Sequence, residues 1–305
     1  MNKLLAKIGL GEKMSKNFLA ILIVAFSGAI IYGLPYFRFD YYDVYLETYH
    51  LTNVQMGVFG SVLGVFGMIS YLFGGIVADR FSTRTILTVS LLGTGIGGLV
   101  HLLPLNFPAL VCLYAFWGVS SLFAFWPACV KAVRILSGSG DQGKAFGFFE
   151  GGRGVAAALM AMAAVVAFRI GAGQMEDQAQ GMKYVIVFYS VLTILMGLLS
   201  FLTVKDDKIE ESERISFQGI GEVLRLPAVW IIGFVTFCNY VFTLSLYYFT
   251  PYATGILGAS VTFTATLAAI KRWFSLFGNV GGGFITDKVG TGKMLLISFL
   301  AMAAG

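Results

Sequence analysis

The chain has 305 residues, of which 57% are hydrophobic and 12% charged, against about 45–50% and about 25% in an ordinary soluble domain. With 28 Phe and a mean hydropathy of +0.81, it has too little polar side chain to coat a water-facing surface, which excludes a soluble globule and a disordered chain. The net charge of +5 does not indicate nucleic acid, because the cations sit in short loops between apolar runs, and the three cysteines lie inside such runs and exclude a disulfide framework.

A bilayer core about 30 Å thick needs about 20 apolar residues of helix. In chain order, the sequence predicts spans at 17–37, 54–78, 86–103, 109–134, 144–170, 183–204, 228–250 and 261–286, and a ninth apolar stretch at 294–305. The first is too long for a signal peptide and lacks a small-residue cleavage site. The last is about 18 Å of helix at 1.5 Å per residue, so the chain is expected to be truncated within helix 9. The polar stretch 205–226, with Asp206, Asp207, Glu210, Glu211 and Glu213 among its bases, reads as a cytoplasmic linker between a six-helix bundle, 1–204, and the start of a second bundle, 227–305. With the N-terminus in the cytoplasm, fifteen Lys and Arg fall in inside loops and only Arg38, Arg169 and Lys183 in outside loops, which fixes the orientation by the positive-inside rule. The location this implies is the inner, or plasma, membrane.

Span 2 ends in Gly74-Gly75-Ile-Val-Ala-Asp79-Arg80-Phe-Ser-Thr-Arg84, and span 8 ends in Gly282-Gly283-Phe-Ile-Thr-Asp287-Lys288. The same Gly-x-x-x-Asp-basic pattern thus closes an even-numbered helix twice, as parallel repeats of six-helix halves require. These loops resemble the signature of the major facilitator superfamily, with Ser82 where the family usually has Gly. The resemblance implies an all-α bundle of twelve helices, and it implies a conformational latch at Gly75, Asp79, Arg80 and Arg84, with Gly283, Asp287 and Lys288 as the second copy. Trp126-Pro127-Ala-Cys129-Val-Lys131 and Tyr36-Phe37-Arg38 are similar to stretches of its organophosphate:phosphate antiporter branch, where an aromatic-flanked Arg binds phosphate. The resemblance places Lys131, Tyr36 and Arg38 as candidate substrate contacts. Thr243 stands where that branch carries a second Arg, so sugar-phosphate specificity does not follow. Asn239 and Tyr240 in span 7 are further candidates for the cavity wall.

Ionisable groups inside a span are costly and mark function or an ion pair. Arg153 lies about 14 Å deep in span 5, and Lys271 and Arg272 lie at similar depth in span 8 by the helical rise, so the three are expected to meet near the midplane. Glu150, three residues before Arg153, can pair with it on one helix face and is the candidate for proton coupling; Lys271 and Arg272 have no evident acidic partner. A cationic pocket for a small organic anion is the reading adopted, with exchange for a proton or a counter-anion. The Gly143/Gly147/Gly151 stripe of span 5 and the Gly60/Gly64 and Gly278/Gly282 pairs read as surfaces for close helix contact. Gly138–Lys144 nearly spells a phosphate-binding loop, but Ala145 replaces the Ser or Thr and no strand precedes it.

The sequence therefore predicts a secondary transporter working by alternating access, a monomer in the lipid bilayer, without enzyme activity, cofactor, metal or nucleic-acid partner. A transporter-like membrane sensor of a small anion and an exporter of drugs or lipophiles are the alternatives. The exporter usually carries a Gly-Pro-rich motif late in helix 5, and 155–170 has no proline.

Overall fold

The computed structural model describes residues 11–138, 142–173, 177–205 and 220–304, and every regular element among them is helical. Span 1 is α1, Glu12–Ile30, followed by a single turn α2, Gly33–Tyr36, and a 3-10 turn, Phe37–Phe39; a short helix α3, Tyr42–Tyr49, then caps that end of the bundle. Span 2 is α4, Asn53–Arg80, and span 3 is α5, Thr83–Val100. Span 4 is split into α6, Phe107–Leu122, and α7, Phe125–Ser137; spans 5 and 6 are α8, Gln142–Ala172, and α9, Gln178–Thr203. After α10, Ile220–Leu224, span 7 comprises α11, Pro227–Ser245, a 3-10 turn, Leu246–Tyr248, and α12, Phe249–Gly255; α13, Val261–Val289, and α14, Thr291–Ala304, follow.

Seven helical stretches, coinciding with spans 1 to 7, are long and apolar enough to cross a bilayer. The eighth, α13, has 29 residues, about 43 Å at the helical rise, with Lys271 and Arg272 in its middle. The linker residues 206–219 lie outside the described part of the chain.

Helix starts follow local side-chain chemistry. The Thr52 hydroxyl accepts from the Gln55 amide at 3.2 Å while the Gln55 side chain accepts from the Thr52 amide at 2.9 Å, a reciprocal cap on α4. Asn106 and Asp177 cap α6 and α9 in the simpler one-sided way. Ser82, the residue that departs from the family pattern, accepts from the Thr85 amide at 3.3 Å and caps α5.

Span 1 forms the centre of the first bundle, packed against α7, α8 and α9, while α4 pairs with α6, α5 with α9, and α13 lies along α8. The interior is aromatic: Phe37, Tyr45, Phe59, Tyr114, Trp117 and Phe125 are all buried. By contrast, α11 buries none of its residues.

The break in span 4 was expected to be continuous helix over 109–134, and its cause is Pro127. Proline has no N–H, so the carbonyl four residues back, that of Phe123, loses its helical donor. Span 2 supplies the cover at that point. A Cβ built on Gly74 would sit 1.7 Å from the Phe123 carbonyl oxygen, so only glycine lets the two spans close over the broken turn.

The glycine stripes do not act as expected. Added methyl groups on Gly64, Gly147 or Gly151 would meet open space, and Gly60 makes room for the Arg38 side chain. Close contact instead runs through Gly67 and Gly118, whose methyls would meet Leu122 and Phe66, and through Gly152 against Ala25. Gly278 and Gly282 lie among residues whose side chains are not described.

Gly74→Ala should destabilise the protein by about 1–3 kcal/mol, the cost of overpacking a fitted contact, whereas Gly64→Ala should leave stability unchanged or raised. Thermal unfolding of the two variants in detergent checks the contrast.

Candidate functional site

Where spans 1 and 2 connect, the chain after α2 meets the end of span 7 and the middle of span 8. Arg272 Nη2 donates to Asp40 Oδ2 at 2.7 Å, linking residues 232 apart in sequence. The Tyr247 ring stacks on Phe39 at 4.4 Å and on Tyr36 at 6.0 Å, and Lys271 Nζ stands 5.9 Å from the Tyr247 centroid. The Thr254 hydroxyl donates to Asp43. Together with the packing of α13 along α8, these contacts tie the first bundle to spans 7 and 8. A cavity of about 360 Å³ opens beside them, lined by Phe39, Asp40, Tyr247, Lys271 and Phe274 among others.

Two sequence expectations change here. Arg272 does have an acidic partner, Asp40, which no local pattern revealed because the partner lies in the connection after span 1. Arg153 also stands apart from Lys271 and Arg272. Its Nη2 donates to Glu150 Oε2 at 2.8 Å, its guanidinium lies 5.1 Å from the Trp126 centroid, and its side chain touches the position of Gly28. Trp273, next to Arg272, donates its indole N–H to Met162 at 3.1 Å, and Met162 stands nine residues, about 14 Å of continuous helix, from Arg153 on α8, so the three cations form two groups rather than one midplane cluster. The Tyr32 and Tyr36 rings, 6.2 Å apart, lie on the stretch of span 1 between the two groups.

Arg38 is 1% exposed. It donates to the Pro35 carbonyl, and its guanidinium sits 4.4 Å from the Phe39 centroid and 4.6 Å from that of Tyr114. Among the described residues no carboxylate pairs with it, and its Nε makes no hydrogen bond. It is thus held by aromatic faces and one carbonyl, buried rather than in the outside loop where the sequence reading placed it. Asn239 and Tyr240 on α11 are exposed, and Tyr36 is half-buried against Tyr247.

Lys131 lies at the opposite end, where its Nζ reaches the Ala78 carbonyl at 3.4 Å. It therefore joins the loop that follows span 2, next to Asp79, rather than the cavity. In that loop Asp79 and Arg84 are half-buried, and Arg80 is exposed. Gly75 is half-buried, and its neighbour Gly74 makes the close contact with span 4 described above. The Arg84 guanidinium stands 4.7 Å from the Phe201 centroid. The side chains of Asp287 and Lys288, and the surroundings of Gly283, lie outside the described residues.

His101 is not among the candidates that the sequence offers. It is fully buried, lies 5.6 Å from the stacked Trp117 ring, and has both ring nitrogens engaged. The Tyr49 hydroxyl donates to the His101 carbonyl at 3.1 Å and so accepts from Nδ1, 2.8 Å away. Nε2 is then the acceptor for the Tyr45 hydroxyl at 2.7 Å, which in turn accepts from Tyr114 at 3.3 Å. Burial pushes the Tyr45 and Tyr49 phenols above their ordinary range, so both remain protonated and able to donate. The network leads from His101 to Tyr114, the ring under Arg38, and fixes the floor on which that cation rests. Only the run of tyrosines at 41–49 hinted at it.

His101→Phe should cost about 1–3 kcal/mol by leaving buried hydroxyls without partners, and His50→Asn, at an exposed left-handed position, should cost nothing measurable. Thermal unfolding midpoints distinguish the two.

Comparison with known proteins fits this architecture. The chain is 28% identical over 275 residues to Inner membrane protein YqcE of Escherichia coli (strain K12), covering 88% of this chain and 64% of the relative. It is 27% identical over 300 residues to Inner membrane protein YihN of the same organism, covering 95% and 70%. The chain thus spans about two thirds of the length of these relatives. Among solved structures, a bacterial homolog to the human lysosomal transporter Spinster, in inward-facing and unoccupied conformation, superposes with a TM-score of 0.73 at 17% identity, covering 92% of this chain and 64% of the other. The sequence profile of the Major Facilitator Superfamily matches residues 13–305, and the chain, a multi-pass helical membrane protein, belongs to that family.

Proposed function

We propose that the protein is a secondary transporter of the inner membrane that carries a small organic anion by alternating access, with its N-terminus in the cytoplasm. The observation that carries the reading is the charge balance inside the bundle. Among the described residues, Arg153 and Arg272 lie within apolar helices and pair with the carboxylates Glu150 and Asp40, and Arg38 lies buried at the end of span 1. Arg38 has none among the described residues. An unneutralised cation in hydrocarbon costs about 2.5–3.5 kcal/mol on insertion scales. An anionic substrate offsets part of that cost, and arginine's fork of donors matches a carboxylate or phosphate group.

The bias of Lys and Arg toward the loops on the side of Asp79 supports the orientation. In that orientation the contacts between span 1 and spans 7 and 8 form the outer face. Alternating access then requires these contacts to part while the Asp79 end closes. The names of YqcE and YihN support the inner membrane, and the Spinster homolog supports transport. Glu150 remains the candidate for proton coupling at the Arg153 group, and exchange against a counter-anion would use the same cations.

Arg153→Gln and Arg272→Gln should each weaken anion binding by about tenfold to a hundredfold, the worth of a hydrogen bond to a charged group. Arg84→Gln, in the first turn of α5, should not. Binding of a panel of carboxylates and phosphates to the purified protein checks this, and unchanged affinity in both midspan variants would remove the anion reading.

A further inference from the structure

The ion pair between Asp40 and Arg272 carries a consequence beyond transport as such. Arg272 is the cation best placed to take a substrate's negative group at the outer end, yet its Nη2 already donates to a carboxylate of the protein itself, at 2.7 Å. The pair is only partly covered, with side-chain exposures of 32% for Arg272 and 17% for Asp40, and Asp40 lines the cavity of about 360 Å³ together with Lys271. A solute in that cavity therefore reaches Asp40, the carboxylate half of the pair. The rest of the lining is mainly apolar: Phe39, Tyr247, Leu267 and Phe274 stand around the two charged groups, in a volume within the usual range for small-ligand sites.

We infer that Asp40 is a stand-in for the substrate's anion, and that the outer face opens when an amphipathic monoanion, its apolar body in this cavity, replaces Asp40 on Arg272. This rests on the anion-transport reading. The step is an exchange of ion-pair partners: the guanidinium releases one carboxylate and takes another, Asp40 turns to water, and no bond is made or broken. The exchange is tied to opening because the Asp40–Arg272 pair joins span 1 to span 8. A ligand shifts a conformational equilibrium only by its differential affinity for the two states. Here the difference is built in, since the anion binds Arg272 fully only where Asp40 has left it. Tyr247, stacked on Phe39 and Tyr36, and Asp43, bonded to Thr254, part in the same movement. An apolar body favours a carboxylate on a hydrocarbon or aromatic frame over a small, fully hydrated anion.

The test follows the width of the outer face directly. Spin labels are placed at Glu47→Cys and Leu257→Cys, both exposed positions on opposite sides of the gate, with Cys112, Cys129 and Cys238 replaced by alanine. Phenylacetate and inorganic phosphate are the probes, with distances from electron–electron resonance and affinities from calorimetry. In the otherwise unsubstituted protein, phenylacetate should lengthen the distance saturably and phosphate should not. Asp40→Asn should show the long distance without ligand and bind phenylacetate about tenfold more tightly, since the competing closed state is removed. Asp40→Glu, which keeps the charge, should resemble the parent. It also shows whether any change in Asp40→Asn comes from damage at the position rather than from loss of charge. Phenylacetate binding with the same affinity and the same short distance in parent and Asp40→Asn would overturn the exchange while leaving anion transport standing. A gate that phosphate opens as readily as phenylacetate would overturn the apolar-body assignment. Absence of binding of either anion to parent and variant alike would overturn both the exchange and the reading it rests on.

Discussion

Charge held inside an apolar helical bundle is the constraint on which the rest of the structure depends. Each cation in the interior meets it differently. Arg153 takes the local solution, a carboxylate three residues away on its own helix and an indole face from span 4. Arg272 takes a distant carboxylate and thereby joins two parts of the molecule. Arg38 has no carboxylate among the described residues and rests on two aromatic faces and one backbone carbonyl. The geometry of spans 1, 2 and 4 follows from these needs: Gly60 leaves space for the Arg38 head, Tyr114 provides its platform, and the Tyr45–His101–Tyr49 network holds that platform still.

The second organising feature is irregular backbone at depth. Non-helical backbone is tolerated inside a membrane only where protein or a water-filled cavity covers it. Span 1 breaks after Ile30, span 4 breaks at Phe123 and Ala124, and span 7 passes through a 3-10 turn at Leu246–Tyr248. Two of these three breaks contribute to the outer contacts through Tyr36, Phe39, Asp40 and Tyr247. The third is sealed by Gly74 of span 2, the residue just before Gly75, so packing at the span 4 break adjoins the Asp79 loop. Lys131, reaching from α7 to the Ala78 carbonyl, adds a contact there from the other helix.

Much of this was legible in the sequence, and what was not has a physical reason. The spans, their number through seven and the short loops follow from hydropathy alone, because the bilayer imposes a single length scale on apolar runs. The Glu150–Arg153 pair was legible because helical spacing brings residues three apart together. The Asp40–Arg272 pair was not, since 232 residues separate its members and nothing local distinguishes Asp40 from a loop carboxylate. The glycine stripes misled for the opposite reason: spacing states which residues share a face and is silent on what that face meets. His101 carried no sequence signal because its sequence neighbours are a helix end, while its partners come from the connection before span 2. The burial of Arg38 likewise depends on Tyr114, in another span.

Recognition of negative charge by the interior of this bundle, as proposed, can be measured by calorimetric binding of matched ligands, carboxylates and their uncharged primary amides on the same aromatic or aliphatic frame, to the purified protein. The acid of each binding pair should associate at least about tenfold more tightly than the amide, as charge-assisted hydrogen bonds to guanidinium require. Amides that bind as tightly as their acids, or more tightly, would contradict it.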